Sequence, residues 1–183
     1  MNDMTPIDYR QGEYSPAVKA FLARTPQLFI NNEWVASSHG ATIAVEDPSS
    51  GKPITQIVDA SDKDVDRAVA AARTAFDDGR WTGLAPNARE RIIHRFADLL
   101  EAHADEFAEI EAIDNGKPKG MAAAVDVPGA ISQLRFMAGW ASKLNGEVIQ
   151  PYTMPQGAVF GYTLKEPVGV CAQIVPWNFP LLM

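Results

Sequence analysis

The sequence predicts a mixed α/β fold, and three observations point to it. Residues 168–175 form an almost unbroken apolar run of β-branched and small side chains between Pro167 and Pro176, the composition of a strand buried on both faces of a parallel sheet. Residues 61–144 carry apolar side chains at three- and four-residue spacing, the mark of amphipathic helices. Residues 28–58 instead break into short β-branched and aromatic pieces separated by Asn31-Asn32 and Pro48-Ser49-Ser50-Gly51, which are turn compositions.

The bulk numbers narrow the classes. A chain of 183 residues with 46% apolar and 21% charged side chains is globular in composition and long enough to bury a sizeable core. A net charge of −7 with no basic patch argues against nucleic acid or an anionic membrane as partner. The single cysteine excludes an internal disulfide and suits a reducing compartment. No apolar run approaches the ~20 residues a spanning helix needs. The amino terminus has no basic-then-apolar signal pattern. The expected location is cytoplasmic.

The elements follow in order. Residues 1–27 read as a polar arm with a short helix over 15–23. Strands are expected at 28–30 and 34–35, then at 42–46 and 54–58 around a turn with Pro at its second position and Gly to close it. Ser61, with Asp64 three residues on, opens a helix that runs to Gly79 and turns Val65, Ala68, Val69, Ala72 and Phe76 inward. A longer helix spans 87–113, capped by Asn87 and Glu90. Its inward stripe is Ile92, Ile93, Phe96, Leu99, Leu100, Phe107, Ile110 and Ile113, and Gly116 and Pro118 stop it. A third spans 121–144 with Ile131, Leu134, Met137, Trp140 and Leu144 inward, and Pro128 kinks it or marks its true start. Residues 147–165 read as a β-hairpin with a Pro155-Gln156-Gly157 turn, a ribbon whose open edges suit association. The strand at 168–175 then delivers Asn178 to its carboxyl end, where open α/β sheets bind ligands. Ending on Leu-Leu-Met just past this turn, the chain reads as the front part of a larger protein.

Five ordered stretches carry a family resemblance: residues 29–34 (FINNEW), 47–51 (DPSSG), 114–118 (DNGKP), 138–141 (AGWA) and 166–183 (EPVGVCAQIVPWNFPLLM). Together they resemble the amino-terminal part of NAD(P)-dependent aldehyde dehydrogenases. That likeness implies an incomplete aldehyde-dehydrogenase-like fold: amino-terminal β segments and three helices over 28–146 as part of a cofactor-binding domain, a protruding hairpin at 147–165 that pairs subunits into a homo-oligomer, and the first strand and turn of a Rossmann-type sheet at 166–183.

The resemblance also implies roles. Oxidising an aldehyde to an acid with NAD or NADP needs a nucleophilic thiolate, donors for the oxyanion and a base to activate water. Asn178 matches the asparagine whose side-chain amide donates to the oxyanion; the plain alternative is an asparagine making a turn beside proline. Ile174, Val175, Pro176 and Trp177 match positions lining the cofactor. Phe179, Gly129 and Met183 match the substrate tunnel, where a glycine at 129 leaves room for a bulky aldehyde. Asp114 and the main-chain carbonyl at Val45 match a structural monovalent-cation site. The family's nucleophilic cysteine, general-base glutamate and glycine-rich cofactor turn all lie beyond residue 183, so the 183-residue chain alone is expected to be inactive. Cys171, mid-strand, reads as apolar packing and not as a nucleophile. His39, His94 and His103 have no zinc-ligand spacing. Two other readings stay open: a non-catalytic truncated homologue acting as a subunit-interaction module, and a generic helical binding domain.

Overall fold

The computed structural model describes residues 14–153, 155 and 157–183. Most of the polar lead-in, and positions 154 and 156 of the expected hairpin, lie outside these.

Helix α1 (Pro16–Leu22) is the short helix expected after Ser15. Ser15 caps it by accepting from the Val18 N–H at 3.3 Å, and Pro16 occupies the first turn, where no N–H is needed. Two antiparallel hairpins follow. Strands β1 (Leu28–Ile30) and β2 (Glu33–Val35) join through Asn31 and Asn32 at φ 53° and 64°, a corner that asparagine tolerates. Strands β3 (Thr42–Asp47) and β4 (Lys52–Val58) join through the Pro-Ser-Ser-Gly turn, with the Gly51 N–H donating to Asp47 O at 2.7 Å.

Helix α2 (Asp62–Asp77) opens on the expected capping box of Ser61 and Asp64. Asp64 does more than cap. It is buried, and its carboxylate accepts from the Ser37 hydroxyl and the Ser38 and Ser61 N–H groups. Burial pushes this carboxyl up, but the bonds from Ser38, Ser61 and Ser37 outweigh it and hold it far below the usual range. The expected inward stripe of α2 is not covered, however: Val65 and Val69 are about half exposed.

The long helix expected over 87–113 is two helices, α3 (Pro86–Ala102) and α4 (Ala104–Asn115), broken at His103. Nor is Asn87 its cap. Proline is favoured in a first turn, so Pro86 starts the helix a residue early and draws Asn87 inside, leaving Ala85 as a cap with no side-chain bond. The third helix is also divided, into α5 (Lys119–Met121), a π-helical turn (Ala122–Asp126) and α6 (Val127–Ala138). Pro128 sits in the first turn of α6. It cannot donate to the residue four before it, and the widened turn upstream carries the chain past that lost bond.

Helices α3 and α6 pack side by side. The core between the helices is Ala97, Leu100, Ala108, Ala122, Val127, Ala130 and Ile131, in which the four alanines let helices approach closely. Several large side chains expected inside are exposed instead: Ile92, Phe96, Leu99, Phe107, Met137, Trp140 and Leu144. No element among the described residues covers them.

Strands β5 (Val148–Ile149) and β6 (Gly161–Tyr162) form the expected hairpin, but the paired ribbon is short. The predicted buried strand over 168–175 does not form. Ile174 is fully exposed, Val168 nearly so, and Cys171, expected as core, is exposed. A strand needs neighbours for its backbone groups. Among the described residues the three sheets are two-stranded hairpins, and no strand of them pairs with this run.

Candidate functional site

The residues that the sequence singles out converge on the closing turn, 177–183, and on what it rests against. The turn is closed by the Met183 N–H donating to Phe179 O at 3.1 Å. Its tail is anchored in the helical layer, where Leu181 and Leu182 pack against the core cluster. Gly129, in α6, faces Leu182: a Cβ there would lie 3.0 Å from Leu182 Cδ1, so the space this glycine leaves is filled by the turn itself.

The other side of the turn meets the corner after α4. Gly116 ends that helix at φ 80°, and a Cβ on it would lie 2.7 Å from Pro48 Cγ. The Pro-Ser-Ser-Gly turn and the Asp-Asn-Gly-Lys-Pro corner, far apart in sequence, are thus in contact. From this corner Asn115 Nδ2 donates to Trp177 O and Lys117 Nζ donates to Asn178 O, each at 3.2 Å. Lys117 Nζ also reaches Asp126 Oδ2 at 2.6 Å and Glu111 Oε1 at 3.2 Å, and stands 4.6 Å from the centre of the Phe179 ring. Glu111 and Asp126 are buried. Burial works against the Lys117 charge, but hydrogen bonds to Asp126 and Glu111 outweigh it and raise the ammonium above its ordinary range.

Among the predicted residues, the structure therefore brings together Asn178, Phe179, Met183 and Gly129. Asn178 itself is exposed, its backbone held and its side chain at the surface. Ile174, Val175 and Pro176 lead into the turn as an exposed segment, and Trp177, which opens the turn, is 84% exposed. Asp114 is exposed in the last turn of α4, Val45 is half-buried in β3, and these two elements pack together. No group of three or more His, Cys, Asp or Glu side chains suited to a metal ion occurs among the described residues.

Sequence reasoning gave no role to Asn115, Lys117, Glu111 or Asp126, although the first two stand in the 114–118 stretch that carries the resemblance. One signal was available: Glu111 lies between Ile110 and Ile113 on a helix read as apolar, and a carboxylate there needs a cation. Asp126 gave none, because the π turn sets its direction. A separate cleft of about 660 Å³, lined by Phe21, Arg24, Trp34 and Ile57 among others, shares no residue with the turn.

Comparison with known proteins gives one consistent result. The pattern of the aldehyde dehydrogenase family matches residues 34–183. An aldehyde dehydrogenase of Emericella nidulans is 51% identical over 156 residues, 85% of this chain and 30% of that protein. The benzaldehyde dehydrogenase of Antirrhinum majus is 44% identical over 157 residues, 86% of this chain and 29% of that protein. The NAD+ complex structure of aldehyde dehydrogenase from Bacillus cereus superposes with a TM-score of 0.86 at 39% identity, covering 93% of this chain and 34% of the other. The chain thus spans about a third of the length of these relatives and matches their amino-terminal part. Carrying the family's pattern from Trp34 to Met183, the turn and the corner that holds it included, this chain belongs to the aldehyde dehydrogenase family.

Proposed function

We propose that this chain is the amino-terminal part of an NAD(P)-dependent aldehyde dehydrogenase, which oxidises R-CHO to R-COOH, and that Asn178 supplies a donor to the oxyanion. One observation carries the reading: the backbone of the closing turn is held at successive carbonyls, Trp177 O and Asn178 O, while the Asn178 side chain stays exposed. A neutral amide on a fixed backbone is suited to stabilising charge that develops on an oxygen, since it costs little reorganisation and does not titrate.

The residues present offer part of a nicotinamide cofactor's site. Residues 174–177 present exposed apolar surface, the bare Trp177 ring included, against which an adenosine or nicotinamide could pack. A bound nicotinamide would accept the hydride. The chain has no glycine-rich turn between a strand and a helix to hold the phosphates. That turn, the nucleophilic cysteine and the base would come from the part of the relatives' length that this chain does not span. Phe179, Met183 and the Gly129 region would wall the aldehyde's approach, Asp114 and the Val45 carbonyl would hold a monovalent cation, and the 147–165 hairpin would join subunits.

The test is aldehyde-dependent reduction of NAD or NADP by the whole enzyme that includes this segment, with and without Asn178→Ala. Loss of one oxyanion donor is expected to lower kcat about a hundred- to a thousand-fold. The 183-residue chain alone is expected to give no NADH signal. An Asn178→Ala enzyme with undiminished kcat overturns the oxyanion role. Turnover by the short chain overturns the account of what it lacks. Stable incorporation of an inactive short chain into oligomers with full-length subunits would favour the interaction-module reading.

A further inference from the structure

The corner after α4 does more than end a helix. Its two donors reach the successive carbonyls that flank the Asn178 Cα: Asn115 Nδ2 to Trp177 O and Lys117 Nζ to Asn178 O. An ammonium has three donors. Those of Lys117 are taken by Asn178 O, Asp126 Oδ2 and Glu111 Oε1, and the two carboxylate side chains are only 3% and 4% exposed. Lys117 therefore cannot swing away without leaving two buried carboxylates uncompensated. Its meeting point with Asn178 O is set by α4 and by the π turn that aims Asp126. Gly116 fixes the remaining side, because its positive φ and its approach to Pro48 hold the corner against the β3–β4 turn.

We propose that Asn115 and Lys117 are positioning residues for Asn178, clamping the backbone carbonyls on both sides of its Cα so that its side chain is presented at one place. The inference rests on the oxyanion reading of Asn178. Both residues act through the turn's backbone. They act on a donor whose strength depends on lying about 2.7–3.1 Å from the developing oxyanion. Loosening the clamp therefore weakens transition-state stabilisation more than ground-state binding, and the loss appears in kcat and not in KM.

Asn115→Ala is the primary variant. It removes one neutral bond and leaves the Lys117 ion pairs intact, so it keeps its fold even where Lys117→Met does not. In the 183-residue chain, hydrogen exchange of the Met183 amide, which closes the turn onto Phe179 O, is expected to speed up about fivefold in Asn115→Ala. Exchange in α2 should not change. In the whole enzyme, Asn115→Ala is expected to lower kcat roughly ten- to a hundred-fold, the scale of a modest misplacement, with KM within about twofold. Lys117→Arg should retain more kcat than Lys117→Met. Added to Asn178→Ala, Asn115→Ala should cost little more, because no amide is left to position. Unchanged Met183 exchange in Asn115→Ala overturns the clamp whatever Asn178 does. So does unchanged kcat in Asn115→Ala where Asn178→Ala is crippled, or full additivity of the two. If Asn178→Ala itself leaves kcat intact while Met183 exchange responds, the clamp holds a turn that is not catalytic, and the positioning role falls with the oxyanion reading.

Discussion

The run at 168–175 and the turn at 177–183 are neighbours in sequence and alike in apolar character, yet the structure treats them differently. The run makes no ladder and exposes Val168, Cys171 and Ile174. The turn is seated by Leu181 and Leu182 on the helical core and by two side-chain donors on its backbone. A strand is held collectively, by the backbone groups of other strands, and where those are lacking nothing replaces them. A turn can be held at points, by a few side chains from whatever element lies below. The part of the candidate site that this chain carries is therefore positioned by the helical layer and by the corner that rests on the β3–β4 turn.

That contrast can be broken from the side of the turn. The largest effect is expected from Lys117→Met, which leaves Glu111 and Asp126 buried without their cation. Breaking a buried pair in this way typically costs about 3–5 kcal/mol, read as a fall in the urea midpoint of the 183-residue chain. A loss below ~1 kcal/mol would mean that the carboxylates are reached by water and that the helical layer does not hold the turn through this charge. Next comes Leu182→Ala. Full burial would put the loss at about 2–5 kcal/mol, and the partial burial of Leu182 brings the expectation to about 1–2 kcal/mol. No loss would mean that the turn is held by Asn115 and Lys117 alone.

The same contrast explains how much could be read in advance. Local rules were legible. The capping box at Ser61 and Asp64, the Asn31-Asn32 corner, the Pro48–Gly51 turn and the stop at Gly116 each formed as expected, because each is decided within a few residues. Asn178 was placed in a turn by its flanking prolines. Properties that depend on distant partners were not legible. The periodicity of α3 and α6 placed Leu100 and Ile131 correctly inside, but it does not say how far the covered face extends, so Phe96 was placed inside when Ala97 is, and Trp140, just past α6, when Ala138 is. The composition of 168–175 states a requirement for cover without supplying it. Lys117 was hidden for a third reason: its acceptors come from Glu111, from Asp126 beyond a π turn, and from a carbonyl 61 residues away.

The smallest effect belongs to the run, and it is the sharpest check on the contrast because it predicts near-silence. Ile174 is fully exposed, so Ile174→Ser removes no buried surface from this chain. Surface substitutions away from caps and networks stay within about 0.5 kcal/mol, and the urea midpoint should hardly move. Cys171 gives an independent reading of the same segment. Exposed on an unladdered backbone, its thiol should react with a small aromatic disulfide in the folded chain at nearly the rate seen in urea. The acceptor it meets, Gly169 O at 3.7 Å, is too weak a partner to shield it. A protected thiol together with a costly Ile174→Ser would mean that this run finds cover in solution, for instance by pairing with the same run of a second molecule. Labelling at low and at high protein concentration separates that case, since only pairing between molecules makes protection rise with concentration.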